Sequence, residues 1–215
     1  MKVHTYENSS GKDLIKKYID KLSKEEQVDG YSVLQAFEEG RINELNIKPW
    51  QGKVWEVYFY KHNRIFYVTI ENEDVYLLHA CRKQKNKTET NDKNIVISRA
   101  KELGKLLNKA FIWGGLAMPF KQINANEQIA EKRKTDSEFD SLWQGSRNEY
   151  KLLAELVKIR KESNLSQTEL AERSGNKQQV ISRIENKENS PTLKTLCSIL
   201  DVLGYEIKIQ PKQGM

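Results

Sequence analysis

Five polar side chains near the C-terminal end, Lys177, Gln178, Gln179, Ser182 and Arg183, recur at three- and four-residue spacings. On a helix that spacing gathers them on one side. Gln, Ser and Arg offer donors and acceptors that can pair with base edges, and an exposed helix N-terminus favours a phosphate, so the chemistry they point to is reading of DNA. Gln167, just upstream, is placed to meet phosphate. A second concentration of charge lies between Arg82 and Lys109, where nine basic residues stand against three acidic ones. Beside a strand, such a run suits a polyanion. Cys81 and Cys197 are far apart and have no metal-ligand spacing with the three histidines. No metal and no cofactor are therefore expected, and both thiols read as reduced residues of a cytoplasmic protein.

The elements that must hold the DNA-reading residues are legible from 165 to 191. Ser166 with Glu169 forms a capping box, which starts a helix at Gln167. Gly175 supplies a left-handed or close-packed turn, and Asn176 with Gln179 repeats the cap for a second helix that runs to about Asn186. Leu170, Ala171, Val180, Ile181 and Ile184 face one another, with Ala171 small where the helices cross. Upstream, 150–163 has helical periodicity. Downstream, Ser190 and Pro191 are an N-cap and first-turn pair for a helix through Leu203 that Gly204 ends. The tail from 205 to 209 alternates and reads as a strand at a dimer interface.

The N-terminal half has a different grain. Val3 to Glu7 reads as an edge strand, followed by a helix carrying Leu14, Ile15, Tyr18, Ile19 and Leu22 and a second helix from about Gln27 to Glu39. From Lys48 the period becomes two. The runs 53–60, 64–70 and 75–80 form an antiparallel meander, a polar basic loop follows, and a helix spans Ile95 to Lys109. That order is an α+β layer architecture, here joined to an all-α domain.

With 215 residues, 38% hydrophobic and a net charge of +6, the chain suits two domains with real cores. The expected division is 1–113, a linker at 114–119 marked by two glycines and a proline, and 120–215, with the DNA-binding unit at about 149–204. A charged helix is expected from Asn126 to Trp143. No apolar run approaches the roughly 20 residues that span a bilayer, which places the chain in the cytoplasm.

The segment carrying Gln167, Ala171, Gly175, Gln178, Ile181 and Ile184 resembles the helix-turn-helix of phage-repressor, Xre-like DNA-binding domains. The segments at 52–59 (GKVWEVYF), 64–67 (RIFY) and 77–88 (LLHACRKQKNKT) resemble the RelE/HigB-like toxins, closest to their phage-derived Gp49-like group, over about residues 1–110. The second half as a whole is similar to HigA antitoxins, the partners of such toxins. The resemblance implies a type II toxin–antitoxin module in one chain: a ribosome-dependent endoribonuclease, or mRNA interferase, neutralised by an antitoxin that represses its own promoter.

It further implies metal-free attack of a 2′-hydroxyl on the neighbouring phosphate, with Arg64 and Arg82 matching the family's phosphate-binding arginines and Lys53 and Lys83 as helpers; both arginines are expected to be exposed. Some relatives place a Tyr or His near the end of the toxin to move the proton. Here none follows Arg82 in that half, and His79 reads as a core histidine, so no base is assigned.

The neutralising element is expected to be the charged helix, with Phe139, Leu142 and Trp143 as apolar anchor and Glu131, Asp136, Glu138 and Asp140 opposite the basic run after Arg82. The implied partners are operator DNA with an inverted repeat, read by a homodimer, the ribosome and mRNA for a freed toxin half, and a toxin–antitoxin contact within or between chains. The alternatives are a transcription regulator with a degenerate, non-catalytic toxin-like domain, or two polypeptides joined at the GGLAM junction that act in trans.

Overall fold

The computed structural model describes residues 1–71, 73–82, 90–113 (side chains for 90–108 only) and 119–210. Six strands form one sheet: β1 (Lys2–Tyr6), β2 (Ile47–Gln51), β3 (Val54–Phe59), β4 (Asn63–Ile70), β5 (Asp74–Arg82) and β6 (Phe120–Ile123), in the order β2-β3-β4-β5-β1-β6. β3, β4 and β5 form the antiparallel meander that the three period-two runs predict, and β2, not among those runs, adds a further antiparallel strand to β3. β1, expected at an edge, instead lies inside the sheet, parallel to β5 on one side and antiparallel to β6 on the other. Short-range alternation says that a segment is a strand but not who its neighbours are. β6 itself falls in a stretch expected to follow the linker, and it extends the N-terminal sheet by a strand from the C-terminal side.

Two layers of helix cover the sheet. On one face lie α1 (Leu14–Ile19) and α2 (Lys24–Glu38). The second begins three residues earlier than periodicity alone indicates, because Ser23 and Glu26 close a capping box at its N-terminus. Ile15, Ile19, Tyr31, Leu34 and Phe37 pack there against Val57, Ile65, Tyr67, Val75 and Leu77. On the other face α3 (Thr90–Trp113) presses Val96 and Leu103 onto Phe66, Val68, Tyr76 and Leu78.

The charged helix expected from 126 to 143 is two helices. α4 (Ala125–Thr135) ends where Asp136 turns extended (φ −136°) and caps the next helix by accepting the Phe139 N–H. α5 (Ser137–Glu162) then runs without a break into the helix predicted at 150–163. α6 (Gln167–Arg173), α7 (Gln178–Glu185) and α8 (Leu193–Leu203) complete the helical region around Leu156, Leu170, Ile181, Ile184 and Ile199. The fold is thus mixed α+β, with an N-terminal antiparallel-dominated sheet and a C-terminal helical region.

Among the caps, Ser166 and Glu169 form the expected box and Gly175 takes φ 66°. The other two expected caps shift. The N-cap of α7 is Lys177, one residue later than expected and with no side-chain bond, and the Asn176 side chain donates from its Nδ2 to Ser174 and Ser198. α8 is capped by Thr192, not Ser190, whose hydroxyl turns to Glu149. Residues 205–210 form no strand within the chain. No described helix is long and apolar enough to cross a membrane.

Candidate functional site

The candidate DNA-reading residues gather on one helix face, as their spacing predicts. Lys177, Gln178, Gln179 and Arg183 are exposed along α7, and Ser182 is half-buried between them. Gln167, expected to meet phosphate, also has partners within the chain. Its amide donates to Glu185 Oε2 at 2.8 Å and its oxygen accepts from Gln178 Nε2 at 3.1 Å, so it bridges the two helices and orients Gln178.

Beneath this face lies a buried ion pair that spacing did not announce. Arg160 in α5 meets Glu185 in α7 by two bonds, Nε–Oε1 at 2.5 Å and Nη2–Oε2 at 2.8 Å, while its Nη1 donates to the Leu165 carbonyl at 2.8 Å. The Glu185 side chain is fully buried. A signal did exist in the sequence: Arg160 falls four residues after Leu156, on the apolar stripe of its helix, and Glu185 directly follows the core residue Ile184.

The proposed phosphate site of the N-terminal half is not brought together in the same way. Arg64 and Arg82 sit at the same end of the sheet, where Asn63 pairs with Arg82 and Arg64 with Cys81. Neighbouring register positions point to opposite faces. Arg82 therefore lies on the α2 side, half-exposed and bonded to Glu26, in a chain that runs on through Asn63 (2.9 Å to Glu26) to the Tyr18 hydroxyl (2.6 Å to Asn63). Arg64 lies on the α3 side, paired with Glu56 at 2.9 Å and set against the rings of Tyr58 and Phe66.

The expectation that both arginines are exposed fails for Arg64, which is 2% exposed. The reason is that β4 is covered on both faces, so a strand-start position that looks solvated in sequence is interior. Lys53 is exposed in the β2–β3 turn, at the far end of the six-residue β3, ~20 Å of strand away. Lys83 lies outside the described residues.

On the α3 side, next to Arg64, His79 Nε2 lies 2.8 Å from Asp92 Oδ1, and Cys81 lies beside both. Burial holds the His79 imidazole below its usual range against the pull of Asp92, and pushes the Cys81 thiol up to about 12.

The apolar group expected to act as the neutralising anchor is embedded in the N-terminal core. Phe139 is fully buried, stacked on Trp143 (ring centroids 5.6 Å apart) and edge-on to Tyr31 of α2 (5.7 Å), and Leu142 packs beside them. Two of the acidic residues expected opposite the basic run have other partners: Asp136 pairs with Lys24, and Asp140 with Arg133 of its own segment; residues 83–89 of that run lie outside the described residues. The reverse polarity also contributes, with Lys132 reaching Asp20 at 2.9 Å and the Glu38 carboxylate accepting the N–H groups of Ala125 and Asn126 at the start of α4.

A second seam joins α5 and the end of α7 to α2 and to the segments that flank β2 and β3. Asn46 bonds Asn186, the Lys61 N–H reaches the Asn186 carbonyl at 3.4 Å, Lys187 pairs with the buried Asp29, and Lys161 Nζ donates to the Leu45 carbonyl at 2.5 Å. Burial pulls the Lys161 ammonium down to about 8, with neighbouring Arg160 acting in the same sense. Between about 8 and its ordinary 10.5 the unfolded chain holds the proton that the folded chain has released. This residue therefore adds stability as pH rises through that window. Subtracting the denaturation midpoints of Lys161→Met from wild type at pH 7.5 and 9.5 should give a difference that grows with pH; a constant difference would remove Lys161 as its source.

Comparison with known proteins agrees with both halves. Residues 17–101 match the family described as phage derived protein Gp49-like, and residues 156–209 match the helix-turn-helix family. The chain joins a Gp49-like domain to a helix-turn-helix domain. Over 60 residues it is 40% identical to a protein of Haemophilus influenzae described as an uncharacterized HTH-type transcriptional regulator; the match covers 28% of this chain and 61% of that protein's length. The helix-turn-helix match begins inside α5 and takes in α6 to α8, so it encloses the exposed face of α7. The Gp49-like match takes in the end of α1, α2, β2 to β5 and the first half of α3, and leaves out β1, β6, α4 and α5. Of these, β6, α4 and the first half of α5 follow residue 113 in sequence and still join the Gp49-like domain in space.

Proposed function

We propose that the chain is a type II toxin–antitoxin module in one polypeptide, with an mRNA-cleaving toxin-like part at 1–113 and an antitoxin-like part at 120–215 that silences it and binds operator DNA. The observation that supports this best is the way β6, α4 and the first half of α5 are built into the Gp49-like domain. They add an edge strand to its sheet and three aromatic rings, Phe120, Phe139 and Trp143, to its core. An element that serves only to tether a DNA-binding domain needs no such burial. Arg82, with Glu26, Asn63 and Tyr18 around it, is the phosphate-binding candidate of the toxin-like part.

A second reading is favoured by one specific observation. Arg64 is interior and paired with Glu56, on the face opposite Arg82, which fits a transcription regulator whose toxin-like domain no longer cleaves RNA. Purified ribosomes separate the two. Residues 119–215 would be removed by cutting between 114 and 118 and stripping under denaturant before refolding. Under the first reading the refolded fragment cleaves ribosome-bound mRNA, its Arg82→Ala version does not, and the intact chain does not. A folded fragment without activity supports the regulator.

The DNA side is common to both readings and has its own test. A homodimer is expected to protect two half-sites arranged as an inverted repeat, about one helical turn apart. Replacing Gln178 and Gln179 with Ala should lose about 1–3 kcal/mol of base discrimination per good contact. Binding would persist on unrelated sequences. A footprint unchanged by the double substitution would take the base-reading role away from these residues.

A further inference from the structure

On the α3 face of the sheet, three side chains of different chemistry converge. His79 and Cys81 are two apart on β5 and so share a face, and Asp92 descends onto them from the first turn of α3. One donor atom from each lies within 4.8 Å of the others, with the His79 and Asp92 side chains 15% and 19% exposed and Cys81 buried. Among the described residues no other His, Cys, Asp or Glu group of three or more is so placed.

We propose that His79, Cys81 and Asp92 bind one divalent ion of the zinc type, with water in the fourth position. Imidazole nitrogen, thiolate sulfur and carboxylate oxygen are the donors that this ion takes, at about 2.0–2.3 Å in tetrahedral array. Such an array sets donors roughly 3.3–3.6 Å apart. The His79–Asp92 contact at 2.8 Å must open by about half an ångström, and the widest separation must close by about one, both within reach of side-chain rotation at a partly exposed site.

Charge is compatible. A thiolate and a carboxylate neutralise the dication, and the neighbouring Arg64 guanidinium is already engaged by Glu56 at 2.9 Å. Arg99 is likewise directed to the Leu78 carbonyl at 2.7 Å. Binding exchanges one bond for another without redox change: the Cys81 thiol proton leaves to solvent, the His79 ring coordinates in its neutral form, and the His79–Asp92 hydrogen bond gives way to two metal bonds. The ion would pin the start of α3 to the end of β5, the two elements on either side of residues 83–89. This inference holds whether or not the Gp49-like domain cleaves RNA.

The test uses the full chain in a Cys197→Ser background, because Cys197 is exposed and would bind metal on its own. Cobalt(II) is the probe. The expected result is one equivalent bound, with a near-ultraviolet thiolate-to-cobalt charge-transfer band and the visible bands of four-coordinate cobalt, displaced stoichiometrically by zinc and accompanied by proton release and a rise in melting temperature. Cys81→Ser should remove the charge-transfer band, and Asp92→Asn should weaken binding at least tenfold. Absence of the band in the folded Cys197→Ser chain overturns the proposal without reference to any ligand variant. Persistence of the band in Cys81→Ser overturns it equally.

Discussion

Replacing Arg160 with methionine is expected to destabilise the helix-turn-helix region by about 3–5 kcal/mol, because it strips the only guanidinium from a fully buried carboxylate. Glu185 would keep its bond from Gln167, but one amide does not compensate an ion in the interior. The Leu165 carbonyl, at the turn between α5 and α6, would lose its donor as well. Site-specific DNA binding should fall with the fold of this region.

The measurement can be localised, since all four tryptophans lie at or before Trp143. Tryptophan fluorescence therefore follows the sheet and its helices, and backbone amide exchange in α6 to α8 follows the other region. The Arg160→Met, Glu185→Met double variant should recover most of the loss, as apolar replacement of a buried pair commonly does. A single variant within about 1 kcal/mol of wild type would mean that water reaches Glu185 and that the pair is not what fixes the recognition helix.

The second large effect concerns the other anchor. Phe139→Ala should cost about 3–5 kcal/mol, the range for emptying a fully buried aromatic site. The ring lies between Tyr31 and Trp143 with the Lys132 ammonium 5.5 Å from its centroid, so its removal loosens the contact of α5 with α2 from both sides. Adding Trp143→Ala should expose α2 and the end of α4 to amide exchange while β3 to β5 stay protected.

If the antitoxin-like part silences the toxin-like part through this contact, the double variant gains mRNA cleavage on ribosomes that the intact chain lacks. Loss of protection in α2 without any gain of cleavage would sink the silencing role, and leave the contact as a purely structural one. The β6 strand is independent of these rings, being held to β1 by backbone pairing from Val3–Ile123 to Tyr6–Phe120. It should therefore remain in the sheet and keep the two parts joined.

What the amino-acid sequence determined by itself is what acts over a few residues. The Ser166–Glu169 box starts α6 where a hydroxyl can satisfy an orphan amide, Gly175 takes the left-handed turn that other residues resist, and alternation marks β3, β4 and β5. The exposed face of α7 follows from helical spacing alone. The aromatic anchor was also legible, because Phe139, Leu142 and Trp143 are an apolar group in an otherwise charged segment.

The tertiary structure decided what depends on distant partners. β1 became interior only when β6 arrived from the other half, and the N-terminal half's boundary in space thereby moved past its boundary in sequence. Arg64 and Arg82 look equivalent as strand-end charges, yet the period of two sends them to opposite faces, one open and one roofed by α3. The same parity sets His79 and Cys81 side by side, and the arrival of α3 adds Asp92, a group of metal-binding donors that no spacing in the chain discloses. Strand parity is a local property; which face is covered, and by what, is settled only when the layers pack.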